Sequence, residues 1–266
     1  MKITDQLNRV LIFEDNPVRI ISLVPSQTQL LIDLGLQDNI VGVTKFCKRD
    51  KLKVTRRNIL GGTKKINYDK VKHLNPDIII CNKEENTKEI VNELGKEYFV
   101  YVSDIITIED SFQFIFDIGK IFNVNSNAKQ LVNNIQSKLN SFNSFIEQQP
   151  LKKVAYFIWP KPWMVVAGNN YINTILKLNK FENIFENAPD RYLEIYIEYL
   201  ADLSPELKPE FILLPSEPYP FEKDHIKELQ KYIDCKFIFV DGEMFSWYGS
   251  TLLKALDYFK ELHRGS

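Results

Sequence analysis

Apolar and polar positions follow two rhythms along this chain, and the switches between them predict its elements. Residues 1–16 read as a short hairpin with Val10-Leu11-Ile12-Phe13 as one strand. Ile20 to Val24 is a near-continuous apolar run, the pattern of a parallel strand covered on both faces. A helix follows, with Ser26 or Thr28 as its cap, and ends at Gly35. Strands are then predicted at Ile40–Thr44, Ile78–Cys81 and Tyr98–Val102, and helices at Tyr68–Leu74, Thr87–Gly95 and Ile108–Phe122. Residues 45–65 form a polar, basic loop ending in Gly61-Gly62-Thr63. Strands alternating with helices predict a doubly wound parallel sheet.

From Ser126 to Gln148 the rhythm changes. Ala128, Leu131, Val132, Ile135, Leu139, Phe142 and Phe145 keep a period near 3.6, which predicts one helix of roughly 35 Å. After Pro150 the alternation restarts, with strands at Val154–Trp159, Phe211–Leu214 and Phe237–Val240. Helices are predicted at Tyr171–Leu178, Glu194–Leu200, His225–Tyr232 and Ser250–Leu262. The unit Leu74-Asn75-Pro76-Asp77-Ile78-Ile79-Ile80 is echoed by Leu207-Lys208-Pro209-Glu210-Phe211-Ile212-Leu213. Two copies of one layout predict two similar lobes, with the long helix as a strut and a cleft for a ligand. The divisions read as 1–124, an N-terminal α/β lobe; 125–149, the inter-lobe helix; and 150–266, a C-terminal α/β lobe.

In parallel sheets, ligands bind beyond the carboxyl ends of the strands. Those loops are Pro25-Ser26-Gln27-Thr28, Thr44-Lys45-Phe46-Cys47, Asn82 to Asn86 and Ser103-Asp104 in the first lobe. In the second they are Trp159 to Met164, Ser216 to Phe221 and Asp241 to Tyr248. The first set is polar and charged. The second is aromatic and holds all three tryptophans of a chain that also carries 18 Phe and 12 Tyr. Aromatic loops without a partner are costly, so they point to a ligand surface.

Charge and composition narrow the class. A net charge of −1 argues against a duplex nucleic-acid binder, which needs a basic excess. No stretch of about 18 apolar residues exists to form a transmembrane helix. The N-terminus, Met1-Lys2-Ile3-Thr4-Asp5-Gln6, has no apolar signal core. Either a leader was removed from an exported protein, or the protein is cytoplasmic. Cys47, Cys81 and Cys235 lack metal-type spacing, and Cys81 and Cys235 read as packing residues. His73, His225 and His263 fall in predicted helices, away from the strand-end loops, and His73 and His225 read as surface or half-buried side chains. The chain has no G-x-S-x-G elbow, no G-x-x-x-x-G-K and no G-x-G-x-x-G. Gly61-Gly62-Thr63-Lys64 reads as a loop, since its context is not strand-then-helix.

The stretch Arg19-Ile20-Ile21-Ser22-Leu23-Val24-Pro25-Ser26-Gln27-Thr28-Gln29-Leu30-Leu31, with Leu34-Gly35 and Val41-Gly42-Val43-Thr44 after it, resembles the start of the substrate-binding proteins of ABC importers for cobalamin, haem and ferric siderophores. Leu74 to Ile80 matches that family's first-lobe motif, and the long helix its inter-lobe backbone. The resemblance covers essentially the whole chain and is nearest to the cobalamin branch. It implies an α/β fold of two Rossmann-like lobes joined by a single long backbone helix, the class III periplasmic-binding-protein fold.

It also implies a binding role, without catalytic residues, intrinsic cofactor or protein metal ligands. The ligand is a metal chelate: a corrinoid first, a ferric siderophore or haem second. By position, the aromatic after the second strand falls at Phe46. The cobalamin branch's tryptophan beyond the third strand is replaced by Asn82. An aromatic matches Trp163, followed by Gly168; another falls at Tyr192, beside Arg191. The last loop aligns with Glu243 to Trp247, including Phe245. With the strand-end loops, the expected ligand set is Pro25, Ser26, Gln27, Phe46, Gly62, Asn82, Lys83, Trp163, Arg191, Tyr192, Glu243, Phe245 and Trp247. The resemblance further implies a membrane permease as partner, met by one acidic residue per lobe, Asp69 and Glu198. The expected protein is a monomer that binds no nucleic acid. Two alternatives stay open: a leaderless cytoplasmic ligand sensor, and a cofactor-binding enzyme on the same frame, for which Cys47 is the one cysteine in a strand-end loop.

Overall fold

The computed structural model describes residues 1–47 and 58–265, so much of the basic loop read at 45–65 lies outside the described residues. Contacts divide the chain into two units. Unit 1 comprises residues 1–105, 109–137 and 248–253; unit 2 comprises 106–108, 138–247 and 254–266.

In unit 1, β1 (Lys2–Thr4) and β2 (Val10–Ile12) form the expected hairpin. Its loop carries Asp5, whose carboxylate accepts from Val102 N at 3.1 Å, and Arg9, which donates to Val100 O at 2.8 Å. The hairpin is thereby tied to the main sheet. That sheet holds β3 (Ile20–Ser22), β4 (Ile40–Val43), β5 (Ile78–Asn82) and β6 (Phe99–Ser103) in the order β4-β3-β5-β6. All pairs are parallel, with Ile20 opposite Ile78 and Ile80 opposite Tyr101. Every residue of β3 and β5 is buried, as an apolar run in a parallel sheet requires. Ile21, Ile79, Cys81 and Val102 share one apolar cluster. Burial pushes the Cys81 thiol up to about 12, so it remains a neutral packing group.

Helices α1 (Pro25–Asp33), α2 (Tyr68–Leu74), α3 (Lys88–Leu94) and α4 (Ile108–Ile121) follow their strands. Asn67 and Thr87 cap α2 and α3 by accepting from Lys70 N and Ile90 N. The expected Ser26 or Thr28 cap of α1 is corrected: Val24 is the cap residue and Pro25 opens the helix, where its missing N–H costs nothing. Thr28 instead donates back to the Val24 carbonyl at 3.0 Å. Gly35 then takes φ +88°, the left-handed turn that ends α1.

Helix α5 (Asn125–Ile146) contributes residues to both units. The sheet of unit 2 is built on β7 (Lys152–Pro160), β8 (Trp163–Val166), β9 (Phe181–Asn183), β10 (Tyr192–Glu194), β11 (Phe211–Pro215) and β12 (Lys236–Val240). Its order is β10-β8-β7-β11-β12, with β9 also on β7. β7, β9, β11 and β12 are mutually parallel, while β8 pairs antiparallel with both β7 and β10. The sheet is thus mixed. Trp159 and Trp163 lie in the two strands of a tight hairpin, where a loop was expected. The expected helix at 194–200 is corrected to the end of β10 followed by a single 3₁₀ turn, Ile197–Leu200. Buried Ile195 and Ile197 flank exposed Tyr196, a period of two that suits extended chain. Helices α6 (Tyr171–Leu178), α7 (Lys223–Leu229), α8 (Gly242–Ser246) and α9 (Leu252–Gly265) complete the fold. Half-buried Cys235 packs on the apolar cluster of this unit, and its thiol is raised to about 11 by burial.

Candidate functional site

The parallel strands of unit 1 bring residues 24–28, 44–47, 82–86 and 103–104 to one edge of the sheet. Gln27, at the start of α1, is fully buried there. Its Nε2 lies 2.8 Å from Ser103 Oγ, 2.9 Å from the Tyr248 hydroxyl and 3.2 Å from Cys81 O. Its Oε1 is buried with no hydrogen-bond partner among the described residues. Tyr248 is contributed by the segment 248–253 that returns to unit 1, and the neighbouring Gly249 N donates to Ser111 Oγ at 2.9 Å. Burial holds the Tyr248 hydroxyl well above the usual phenol range, while hydrogen bonds with Ser103, Ser26 and Gln27 pull the other way. Ser26 is buried and Pro25 half-buried beside it.

Asn82 shapes the loop. Its Oδ1 accepts from Glu84 N at 2.8 Å and Glu85 N at 3.1 Å, and its Nδ2 donates to Ser103 Oγ at 3.0 Å. A side chain so occupied has little left for a ligand. Lys83 is exposed, with Nζ 2.5 Å from Asp104 Oδ2. Phe46 is 56% exposed, a large value for a phenyl ring. Lys45 Nζ sits 4.9 Å from its centroid. A Cβ at Gly62 would come within 3.3 Å of the ring, so glycine lets Phe46 lie against the backbone. Cys47 is buried, with Sγ 3.2 Å from Thr28 Oγ1 and 3.3 Å from Thr44 Oγ1.

In unit 2 the expected aromatics separate into two kinds. Phe245 is fully buried, with ring centroids of Tyr156 and Phe259 at 5.3 and 5.0 Å. Trp163 is 8% exposed and packs on Phe157, Phe221 and His225. Both are core residues within this unit, because the hairpin register turns Trp163 inward and α8 lays Phe245 on the sheet. Trp247, at the end of α8, is also nearly buried; Glu243, Arg191 and Tyr192 are half-buried. Asp241 caps α8 by accepting from Glu243 N, and Ser246 Oγ donates to Glu217 Oε1 at 3.1 Å.

Trp159 and Tyr219 lie in the aromatic strand-end loops read from the sequence, but the expected ligand set includes neither. Trp159 is 40% exposed and meets the Tyr219 ring edge-on at 5.2 Å. Trp159 stands next to the last residue of β7, and Tyr219 stands between two prolines. His225 is enclosed by Trp163, Tyr219 and Phe221, with Nδ1 accepting from Glu222 N at 2.9 Å. Asp69, in the first turn of α2, is exposed, as is Glu198, between exposed Tyr196 and Tyr199. Among the described residues, no three His, Cys, Asp or Glu side chains group as metal ligands.

The sequence profile of a family described as periplasmic binding protein matches residues 20–228. The chain is 25% identical over 193 residues to the vitamin B12-binding protein of Vibrio parahaemolyticus serotype O3:K6 (strain RIMD 2210633), covering 71% of this chain and 69% of that one. It is 24% identical over 214 residues to YvrC of Bacillus subtilis (strain 168), an uncharacterized ABC transporter substrate-binding lipoprotein, covering 77% and 67%. Its fold is similar to the crystal structure of a periplasmic heme-binding protein from Pseudomonas aeruginosa, with a TM-score of 0.77, 18% identity and 94% of each chain covered.

Proposed function

The chain belongs to the periplasmic binding protein family, and from that membership we propose that it is the substrate-binding component of an ABC importer, taking a corrinoid before any other metal chelate. The observation that carries this reading is the family match over residues 20–228, which includes the strand-end loops of unit 1 and, in unit 2, those at 159–164 and 216–221. The corrinoid preference rests on the likeness to a vitamin B12-binding protein, and the importer role on the likeness to an ABC transporter lipoprotein. Binding rather than catalysis is what family and relatives share.

In this reading exposed Phe46 in unit 1 and Trp159 with Tyr219 in unit 2 offer ring faces to a flat macrocycle. Such contacts contribute about 0.5–1.5 kcal/mol per ring beyond area burial. Gln27, Ser26, Gly62 and Lys83 add polar groups on the side of unit 1; Arg191, Tyr192 and Glu243 do so in unit 2. The protein works outside the cytoplasmic membrane and delivers its ligand to a permease through Asp69 and Glu198.

Titration with cyanocobalamin, haem and a ferric catecholate, followed by tryptophan fluorescence, tests the reading. Cyanocobalamin is expected to bind most tightly. If no chelate binds more tightly than about 100 μM, roughly −5.5 kcal/mol, the reading fails.

A further inference from the structure

An open sheet edge presents a row of N–H and C=O groups, and in unit 1 this molecule answers them. At β6, Val102 N donates to Asp5 Oδ2 at 3.1 Å and Val100 O accepts from Arg9 Nη2 at 2.8 Å. At β4, the other edge, Val41 O accepts from Asn58 Nδ2 at 2.7 Å and Val43 O from Leu60 N at 2.9 Å. Side chains and a passing segment thus guard both edges of that sheet.

The edge at β12 is different. This strand closes the sheet of unit 2 and pairs with β11 alone. Lys236 N donates to Glu210 O at 3.1 Å, and Val240 O accepts from Ser216 N at 3.0 Å. The residues bonded inward are therefore Lys236, Ile238 and Val240. Alternate residues of a parallel ladder turn the other way, so the N–H and C=O groups of Phe237 and Phe239 face out. Among the described residues nothing bonds to them. The one charge in the strand does not guard the edge, because Lys236 Nζ lies 5.6 Å from the ring centroid of Phe211, back over the sheet. Phe239 is 45% exposed and Phe237 is half-buried.

This edge is complementary to itself. Laid antiparallel about a twofold axis through Ile238, each Phe237 meets the partner's Phe239. Both residues turn their backbone groups outward, so each such pair exchanges both its bonds. Phe237 and Phe239 also share one face, and the same register sets two aromatic cross-strand pairs side by side on it. Lys236 meets the partner's Val240, so no like charges face each other in the strand. A net charge of −1 adds little repulsion between copies. We propose that a second copy of this chain pairs antiparallel along β12, centred on Ile238, and continues the sheet of unit 2 through both copies. The contact is isologous, and five residues per copy make it weak and reversible. It depends on neither the chelate nor the permease.

Sedimentation of the full chain between about 5 and 500 μM tests the pairing. The weight-average mass is expected to rise toward that of two copies over this range. Phe239→Lys, at an exposed position, puts a charge on the open edge and should weaken association about tenfold or more. Ile238→Cys places two thiols on the axis, with Cα atoms about 4.5 Å apart in a non-hydrogen-bonded pair, within disulfide reach. Mild oxidation should cross-link that variant into a dimer, whereas Lys236→Cys, off the axis and opposite Val240, should stay single. A parent that remains single at about 500 μM, a Phe239→Lys chain that associates as well as the parent, or cross-linking of Lys236→Cys as readily as of Ile238→Cys would each overturn the proposal. So would a chain that stays single and takes an extended apolar peptide along β12 instead.

Discussion

The Tyr248 hydroxyl lies 2.9 Å from Gln27 Nε2, although 221 residues separate them in the chain, and both side chains are buried within unit 1. The segment 248–253 is therefore part of the structure of unit 1, fixed by this contact and by Gly249 N on Ser111 Oγ. Tyr248→Phe removes a hydroxyl on which Gln27, Ser26 and Ser103 converge, leaving buried polar groups short of a partner. The expected loss is about 1–3 kcal/mol of stability, read from chemical denaturation, with the far-UV spectrum unchanged. A Tyr248→Phe protein as stable as the parent would show that the hydroxyl is dispensable to unit 1.

Asp117 makes stability depend on pH. Its carboxylate accepts from the Tyr101 hydroxyl at 2.6 Å and from Gln113 Nε2 at 2.9 Å, yet burial outweighs both and raises its pKa. The folded chain then holds a proton that the unfolded chain has already released. Between the ordinary carboxylate value and the raised one, the native state binds more protons, so stability falls as pH rises through that window. Asp117→Asn should remove this slope. Denaturation midpoints of parent and variant across mildly acidic pH measure the difference; parallel profiles would rule out Asp117 as the source.

The aromatic residues divide by exposure into packing and contact groups. Phe245→Ala should cost about 3–5 kcal/mol, since a fully buried ring leaves a cavity among Tyr156, Tyr258 and Phe259. Phe46→Ala and Trp159→Ala remove rings that are 56% and 40% exposed and should leave stability within about 0.5 kcal/mol. In the corrinoid reading each should weaken cyanocobalamin by about 0.5–1.5 kcal/mol, roughly two- to twelvefold. Calorimetric binding and thermal melts on the same samples separate the two effects.

The residues explain why some of this was legible in sequence. Ile20–Ser22 and Ile78–Asn82 are buried at every position, so an apolar run alone located them. Asn67, Thr87 and Asn170 cap their helices through contacts three residues away, which local sequence records. Trp163 and Trp159 could not be told apart, because their exposure depends on the register of β7 with β8, where Pro160 faces Trp163 and Trp159 faces Met164. The 3₁₀ turn at Ile197–Leu200 hid behind residues that also suit a helix. Gln27 and Tyr248 carry no local trace of each other.

The acidic pair gives the most direct test of partnership. Asp69 opens α2 in unit 1, Glu198 opens the 3₁₀ turn of unit 2, and both are exposed. Neither lies among the groups assigned to ligand. Exposed charges at a docking surface mainly steer encounter and fix register, and their effect weakens as salt rises. Reversing both, Asp69→Lys with Glu198→Lys, should therefore slow capture by the cognate permease in proteoliposomes, most at low ionic strength, and leave cyanocobalamin affinity of the free protein unchanged. Each single reversal should have a smaller effect of the same sign. Loss of ligand binding in the double variant would place these carboxylates in the pocket or its support. Unchanged capture and unchanged affinity would leave them as ordinary solvated surface, and the permease would have to be met by other residues.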